Sequence, residues 1–347
     1  MNKKRVFIIA EAGSNWKAGT PKQDLERGLA LIDAASRAGA DAVKFQTFRS
    51  ETVYVTNAGE SDYLSKSGLR KSITNIFKEM AMPYEMLPKL AAACKIKKIE
   101  FMSSFFSAED FKAVDPHVRI HKIASYEISH PELLKLAARS KKTLILSTGA
   151  ASLKDIDWAL GVFKKNGGRK ICLMQCTAKY PAGFSCLNLK AIPALADRYR
   201  IPVGLSDHSR DPLVAPVAAT ALGARLIEKH FTLSNKLSGP DHAFALEPME
   251  LKTMVVAVRA AESALGDGKK RVLPEEEELF QFAQRALQAV RGIKKGETIS
   301  LKKNIGILRP GQQRKGAHPR FLKVLEGKKA RRSIGLGQGV RLSDVTV

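Results

Sequence analysis

The stretch TLILSTGAASLKDIDWALGVFKKNGGRKICLMQC, residues 143–176, contains one complete strand–helix–strand unit. The apolar runs TLILST (143–148) and KICLMQC (170–176) predict two buried strands, and residues 152–165 between them predict a helix. Strands that alternate with helices of about ten to fifteen residues are typical of a parallel sheet. This unit therefore predicts an α/β fold.

The same alternation extends over most of the chain and predicts the architecture. Eight such units within about 265 residues match a (β/α)8 TIM barrel, which usually takes about 250 residues. An open α/β sheet is the alternative. The predicted strands are 5–10, 41–46, 99–104, 119–125, 143–148, 170–176, 202–206 and 225–231, and the predicted helices are 21–39, 83–98, 108–113, 130–139, 152–165, 188–198, 212–221 and 248–265.

The chain changes in character after residue 266. The polar stretch 267–286 predicts a linker or bridging helix, and the Gly- and Lys-rich segment 287–347 predicts a small, mainly β domain. About 60 residues provide only a thin core, so we expect this domain to pack against the barrel or a neighbouring subunit. The predicted barrel domain is then 1–266.

Composition narrows the class of protein. The 347 residues include 58 Lys and Arg against 34 Asp and Glu, a formal net charge of +24. These basic residues are scattered and no nucleic-acid-binding motif accompanies them, so nucleic acid is not an expected partner. No apolar run reaches the roughly 18 residues of a membrane span, and the first apolar run ends at Glu11, as in a strand and not a signal peptide. We expect a cytoplasmic protein whose four cysteines are buried thiols.

Polar residues gather where the predicted strands end. In a TIM barrel the active site lies at the C-terminal ends of the strands. A lysine or glutamate at an interior strand position normally needs a partner or a ligand, and several converge here. The residues at these ends are Glu11, Lys44, Gln46, Ser103, Ser104, Lys122, Ser125, Glu127, Ser147, Thr148, Gln175, Thr177, Tyr180, Ser206, Asp207, His208, Glu228, Lys229 and His230.

These residue types indicate two kinds of ligand. Two lysines with several hydroxyls fit an anion that carries both phosphate and carboxylate. His208 and His230, on adjacent strands, fit a divalent metal, with satisfied core histidines as the alternative. The remaining histidines that we considered, in loops or off the mouth, are assigned no role: His117, His121, His130 and His318.

Nine motifs in order, followed by two in the tail, resemble the sialic acid synthase (N-acetylneuraminate synthase) family. They span the barrel, and the tail resembles that family's C-terminal antifreeze-like (SAF) domain. The barrel motifs are IAEAGSN, AGADAVKFQTF, FMSSFFS, HKIASYE, LILSTG, QCTAKYP, GLSDHS, EKHFT and GPDH, and the tail motifs are RPG and GKKARRSIGLGQGV.

The resemblance implies a reaction and its partners. Phosphoenolpyruvate condenses with the open-chain aldehyde of an N-acylated hexosamine, commonly N-acetylmannosamine, and with water, to give a nonulosonic (sialic) acid and phosphate. A divalent metal is required, most often Mn²⁺, with Mg²⁺ or Co²⁺ as alternatives. The resemblance also implies a homodimer in which each antifreeze-like domain closes the partner's barrel.

The resemblance also implies roles for individual residues. His208 and His230 match metal ligands, and Glu11 and His230 match catalytic groups. Five residues match groups that hold phosphoenolpyruvate, namely Lys44, Ser104, Lys122, Ser125 and Ser206. Five more match groups on or near the acceptor sugar, namely Gln46, Glu127, Tyr180, Asp241 and Arg309.

The sequence departs from the family pattern at three places. In FMSSFFS, Ser104 stands where the family usually has threonine, and Phe105 stands where it has proline. SNWKAG follows the first strand, so Trp16 is expected to reshape the sugar end of the site. The family's phosphate-binding asparagine after the second strand has no clear counterpart near Gly68, and Asn57 and Asn75 both stay open.

Several alternative functions also stay open. The acceptor can be N-acetylmannosamine, its 6-phosphate, or a diacetamido-dideoxy hexose that yields a legionaminic- or pseudaminic-type acid. More remote alternatives are a barrel aldolase with a Schiff base on Lys44 or Lys122, and a catalytically silent polyanion-binding protein.

Overall fold

The computed structural model describes residues 5–60 and 71–346, which form two compact units, Met1–Gly266 and Asp267–Val347. The first unit is a closed barrel in which eight parallel strands follow each other in chain order, as predicted. Its strands are β1 (Phe7–Gly13), β2 (Ala42–Thr47), β3 (Glu100–Phe105), β4 (Ile120–Ile123), β5 (Thr143–Ser147), β6 (Ile171–Cys176), β7 (Val203–Asp207) and β8 (Leu226–His230).

Helices surround the barrel and begin with recognisable caps. The helix Pro21–Ala38 starts at Thr20, whose side chain accepts from the Gln23 backbone in a capping box, and ends at Gly39 with φ +85°. The other helices of this unit are Ser50–Val53, Ile73–Glu79, Met86–Lys97, Ala108–Val114, Pro131–Arg139, Leu153–Lys165, Ala191–Tyr199, Val214–Ala221 and Pro248–Leu265.

The two faces of the strands pack against different cores. Side chains that point outward meet the helices in a large apolar cluster. Side chains that point inward fill the lower barrel with a smaller apolar cluster, which includes Ile9, Met102, Ile145 and Leu226. The next inward positions, two residues further along each strand, are polar. The floor of the barrel is therefore apolar and its mouth is polar.

Three expectations are corrected by the structure. Trp16 is fully buried in the outer apolar cluster, so it cannot line a sugar site. Residues 49–82, for which no strand or helix was predicted, contain the two short helices Ser50–Val53 and Ile73–Glu79, while residues 61–70, including Gly68, lie outside the described residues. Cys94, Cys172 and Cys176 are buried free thiols as expected, but Cys186 is exposed.

The second unit is small and mainly built from short β pairings. The strands β9 (Ala286–Ala289) and β10 (Ile305–Leu308) pair antiparallel, and isolated bridges such as Ile293 to Ile334 extend the pairing. Its helices are Glu277–Ala283 and Leu322–Leu325, and its own core includes Leu287, Ile299 and Val340. Neither unit contains, within the residues described, a helix long and apolar enough to cross a membrane.

Candidate active site

Four charged side chains meet inside the barrel mouth and form what we call the mouth cluster: Glu11, Lys44, Lys122 and Glu228. Lys44 Nζ lies 2.6 Å from Glu11 Oε2 and 3.7 Å from Glu228 Oε1. Lys122 Nζ lies 3.6 Å from the same Glu228 oxygen. All four are almost fully buried, so two ammonium groups and two carboxylates share a space from which bulk water is excluded.

Burial and mutual contact change the acidity of this cluster. Burial raises the pKa of Glu11, and the Lys44 ammonium only partly offsets that effect. Burial alone would also raise the pKa of Glu228, but Lys122 and Lys44 together hold it below its usual value. Burial lowers the pKa of Lys122, whereas the two carboxylates outweigh burial and raise the pKa of Lys44. Perturbed acidities of this kind concentrate at functional sites.

Hydroxyl groups surround the two lysines. Lys44 Nζ donates to Ser104 Oγ at 3.3 Å, and Ser206 Oγ donates to Glu228 Oε1 at 3.3 Å. Ser125 Oγ accepts from the backbone N–H of Gly149 at 2.9 Å. The buried Ser147 Oγ has no hydrogen-bond partner among the described residues. Ammonium and hydroxyl groups in this arrangement can bind the oxygens of an anion.

The two histidines stand together at the ends of β7 and β8, with ring centroids 5.4 Å apart. His208 Nδ1 donates to the carbonyl of Thr177 at 2.8 Å, and Tyr180 stacks on the ring at 4.0 Å. Burial, with a contribution from His230, lowers the pKa of His208 to about 3. His208 is therefore a neutral imidazole with its Nε2 lone pair available, the form in which histidine binds a metal.

Asp241 completes the histidine end of the mouth. Its Oδ2 lies 3.5 Å from His230 Nδ1, and although burial opposes the charged imidazole, this carboxylate raises the pKa of His230. Gly13 has φ +51°, and a Cβ there would lie 2.9 Å from Asp241 Oδ2, so glycine allows the close approach. This position thus favours a positive charge, either a proton or a cation.

The donor set fits a divalent metal in part. Across residues 5–60 and 71–346, no group of three or more His, Cys, Asp or Glu side chains is arranged to hold an ion by itself. Two imidazoles next to a carboxylate supply fewer ligands than a closed structural site. An ion held there would need water or substrate oxygens to complete its shell.

The opposite side of the mouth carries Glu127, in the short 3-10 turn Ser125–Ser129 that follows β4. Burial raises the pKa of Glu127 to about 7. On β2, Gln46 Nε2 donates to Glu11 Oε1 at 2.8 Å. Two of the predicted acceptor residues therefore follow or lie on strands of this half of the barrel.

Comparison with known proteins identifies the family. The NeuB family model matches residues 31–270, and the SAF domain model matches residues 284–346. The chain belongs to the NeuB family. This result confirms the resemblance to sialic acid synthases that the sequence motifs indicated, and the SAF match confirms the nature of the tail.

Relatives in this family carry several names. The chain is 39% identical to the pseudaminic acid synthase of Campylobacter jejuni, over 98% of this chain and 97% of that protein. The crystal structure of spore coat polysaccharide biosynthesis protein SpsE from Bacillus subtilis is 38% identical, with a TM-score of 0.64 over 99% of this chain and 96% of that one. The N-acetylneuraminic acid synthetase of Leptospira borgpetersenii, solved with citrate, is 34% identical, with a TM-score of 0.71 over 81% of this chain and 92% of that one.

The NeuB-type barrel brings most of the predicted site residues together. The one predicted residue that lies in the second unit is Arg309, which follows β10 and is exposed there. Of the two asparagines left open, Asn57 lies in an exposed turn and Asn75 in the helix Ile73–Glu79. Their roles, and those of the other site residues, stay predictions.

Sequence reasoning placed Glu228 and Ser147 at the strand ends but did not include them among the site residues. Glu228 is the carboxylate between both lysines, and Ser147 is a buried hydroxyl with an unused oxygen. Strand alternation could have found Glu228, because it lies two residues before His230 and so points to the same face. His121, placed in a loop or off the mouth, lies within β4 and points outward, where it packs against Phe105 and Phe111.

Proposed function

We propose that this chain is a nonulosonic acid synthase that condenses phosphoenolpyruvate, an N-acylated hexosamine and water to a 2-keto acid and phosphate. The observation that carries the proposal is the pair of buried ammonium groups, Lys44 and Lys122, facing one carboxylate oxygen of Glu228. Phosphoenolpyruvate carries a phosphate and a carboxylate, and it needs two such cationic positions. The relatives named as acid synthases support the same reaction class.

The chain's own residues provide binding, orientation and a proton carrier. Lys44, Lys122 and the hydroxyls of Ser104, Ser125 and Ser206 are proposed to hold the two anionic groups. Little reorganisation is needed, because strands fix all of them except Ser125, which lies in the turn after β4. Glu11 is proposed to move the proton of the attacking water, since Gln46 orients one of its oxygens and Lys44 contacts the other. Glu127, Tyr180 and Asp241 are proposed to position the acceptor.

A divalent metal held by His208 and His230, most often Mn²⁺ in the family that the motifs resemble, would supply Lewis-acid polarisation of the acceptor aldehyde. The neutral His208 ring and the cation-favouring surroundings of His230 support this assignment. His208→Ala and His230→Ala should each abolish metal-dependent phosphate release while far-UV circular dichroism stays unchanged. Full activity in either variant would contradict the metal assignment.

The decisive assay is phosphate release from phosphoenolpyruvate in the presence of a panel of N-acylated hexosamines, with mass spectrometry of the product. A nonulosonic acid of the expected mass supports the proposal. Trapping of a sugar or pyruvate adduct on Lys44 or Lys122 by borohydride would instead show a Schiff-base aldolase. Absence of phosphate release, with sequence-independent DNA binding at physiological salt, would show a polyanion-binding protein.

Of the three acceptors left open, the two without phosphate are each favoured by a different observation. N-acetylmannosamine is the sugar implied by the motif resemblance. A diacetamido-dideoxy hexose is favoured by the pseudaminic acid synthase of Campylobacter jejuni, which is similar over 98% of this chain. Kinetic constants for both sugars, measured with saturating phosphoenolpyruvate, distinguish them.

We further propose a homodimer in which Arg309 reaches the acceptor in the partner's barrel. Arg309→Ala should then raise the acceptor KM by on the order of tenfold, because a hydrogen bond to a charged group contributes about 1.5–3 kcal/mol. The KM for phosphoenolpyruvate should stay unchanged. A monomer in sedimentation at assay concentration, or an unchanged acceptor KM, would contradict this part of the proposal.

A further inference from the structure

One asparagine side chain holds the loop that follows β8. This loop, residues 231–247, carries Asp241. Asn235 Nδ2 donates to the backbone carbonyl of His242 at 2.6 Å and to that of Ala245 at 2.8 Å. A 3-10 turn of three residues begins at His242 and ends just before Ala245, so the two carbonyls lie at its two ends. Because Asp241 directly precedes this turn, the Asn235 amide fixes the backbone from which the Asp241 side chain extends.

Arg210 determines which way the Asn235 amide points. It follows directly after the motif GLSDHS, in the loop after β7, and its Nη2 donates to Asn235 Oδ1 at 3.0 Å. If the amide were turned over, its NH2 group would face the guanidinium, and two donors cannot form a hydrogen bond with each other. The contact therefore selects the orientation in which Asn235 Nδ2 faces the two loop carbonyls.

The same guanidinium nitrogen is anchored at the start of the next helix. Arg210 Nη2 lies 2.8 Å from Glu250 Oε2, and this oxygen also accepts from the backbone N–H of Glu247 at 2.8 Å. Glu247 Oε1 accepts in turn from the backbone N–H of Asn235 at 2.9 Å. These four residues close a ring of hydrogen bonds between the loops after β7 and β8, which we call the loop network.

The loop network lies beside the histidine end of the mouth. His208 is two residues before Arg210, and Asp241 Oδ2 lies 3.5 Å from His230 Nδ1. The Arg210 and Glu250 side chains are 38% and 35% exposed, and an ion pair so accessible to water contributes little to stability. Its larger effect is on geometry, because a displacement of about 1 Å in a site can lower a rate on the order of a hundredfold.

We propose that Arg210 is a positioning residue for the acceptor end of the site: by fixing the Asn235 amide, it holds Asp241 beside His230. This inference rests on the proposed synthase function, in which Asp241 positions the acceptor. The defect expected from loss of Arg210 is confined to the acceptor, because the two lysines proposed to bind phosphoenolpyruvate lie on β2 and β4.

The first test is phosphate release by Arg210→Ala, with N-acetylmannosamine and with the diacetamido-dideoxy hexose. For the acceptor that the unmodified protein uses, kcat/KM should fall on the order of tenfold, whereas the KM for phosphoenolpyruvate should change less than about twofold. Arg210→Lys, which keeps a charged donor, should recover part of the loss. The double variant Arg210→Ala, Asn235→Ala should lose no more than Asn235→Ala alone, because Arg210 acts through Asn235.

Hydrogen–deuterium exchange of the backbone tests the loop independently of activity. In Arg210→Ala the peptide covering residues 241–247 should exchange at least about fivefold faster than in the unmodified protein, because the turn loses a restraint and opens more often. The peptide covering β8 should exchange at an unchanged rate. An unchanged rate for residues 241–247 would overturn the inference.

Arg198→Ala is the matched control. Arg198 Nη2 lies 2.8 Å from Asp157 Oδ2 in a comparably exposed ion pair, at the end of the helix that leads into β7 and so at the opposite end of the barrel. It should change neither KM nor the exchange of residues 241–247.

The kinetic outcomes separate this inference from the proposed function. Equal losses for both substrates in Arg210→Ala, or additive losses in the double variant, would overturn the inference and leave the synthase function intact. Absence of phosphate release by the unmodified protein with every acceptor would overturn the synthase function instead, and hydrogen exchange would then decide whether Arg210 fixes the loop.

Discussion

Two charged clusters on opposite faces of the barrel wall differ in how completely they are paired. The mouth cluster points inward, whereas an outer cluster, Asp207, Ser209 and Lys229, lies on the outer face of β7 and β8. In the outer cluster Lys229 Nζ donates to Asp207 Oδ2 at 2.6 Å, to Ser209 Oγ at 3.1 Å and to the Asp211 carbonyl at 3.0 Å. Asp207 also accepts from the Ser209 backbone at 2.8 Å.

The mouth cluster has looser contacts. Both lysine contacts to Glu228 exceed 3.5 Å, and Glu228 Oε2 lacks a hydrogen-bond partner among the described residues. No side-chain atom of the outer cluster is left without a partner in the same part of the chain. A fully paired buried cluster stabilises a fold, while a partly paired one retains capacity for a ligand. The same strands therefore carry a fully paired cluster on the outer face and a partly paired one on the inner face.

The largest effect should follow from breaking the outer cluster. Lys229→Met leaves the Asp207 carboxylate buried without its ammonium, so the free energy of unfolding of the barrel should fall by about 3–5 kcal/mol. Fluorescence-monitored chemical denaturation reports the barrel, because Trp16 and Trp158 both lie in it. Turnover per folded molecule should be retained. The double variant Lys229→Met, Asp207→Leu is the control and should recover stability. A loss below about 1 kcal/mol in Lys229→Met alone would contradict a stabilising role of the outer cluster.

The corresponding change inside the mouth should affect activity instead. Lys122→Met removes one proposed anion contact, so kcat/KM for phosphoenolpyruvate should fall on the order of 10²–10³-fold, as for loss of one preorganised donor. Glu228 keeps Lys44 and Ser206, and stability should fall less than in Lys229→Met. The same phosphate and denaturation assays test both parts. An activity loss under tenfold would contradict the proposed contact between Lys122 and the anionic substrate.

Acid should destabilise the barrel through His121, which precedes Lys122 on β4 and points outward. Burial lowers the pKa of His121 to about 4, although its contact with Asp115 acts in the opposite direction. Between about pH 6.5 and about pH 4, His121 is protonated in the unfolded chain but neutral in the folded barrel. The free energy of unfolding therefore falls as the pH falls through this range. At about 1.4 kcal/mol per pH unit, the loss should approach 3 kcal/mol.

His121→Gln provides the control for this acid effect, because it removes the titrating ring and retains a donor towards Asp115. Denaturation curves of both proteins at several pH values give the difference in slope. Parallel curves for the two proteins would show that His121 does not cause the acid sensitivity.

The smallest effects are expected for the neighbouring serines of β3, where one substitution should change the KM and the other the stability. Ser104 points inward and accepts from Lys44, so Ser104→Ala should raise the KM for phosphoenolpyruvate several-fold. Ser103 points outward and bonds to Thr47 Oγ1 at 2.8 Å, so Ser103→Ala should lower the free energy of unfolding by about 1 kcal/mol and leave the KM unchanged. Exchanged outcomes for the two serines would contradict the division between inner and outer faces.

The regular part of the fold was predictable from local pattern. For β5, the predicted strand 143–148 and the observed Thr143–Ser147 differ by one residue, because β-branched runs between helical segments are unambiguous signals. The short helices Ser50–Val53 and Ile73–Glu79 were not predicted. Four residues carry too little periodicity, and Ile73–Glu79 lacks the side-chain cap that marks the start of the equally short helix Ala108–Val114. Trp16 was misplaced because an aromatic residue beside a predicted site looks the same in sequence whether it lines the site or the core.

By itself the sequence determined the barrel, the family and the set of polar residues at one mouth, because strand periodicity and short motifs are local properties. Only the tertiary structure decided how closely these inward side chains meet: Glu228 Oε1 lies 3.7 Å from Lys44 Nζ and 3.6 Å from Lys122 Nζ. It also decided that Arg210 bonds to Asn235 and to Glu250, which come from different segments of the chain. Contacts between distant segments depend on how the closed barrel brings them together, and local spacing does not contain that information.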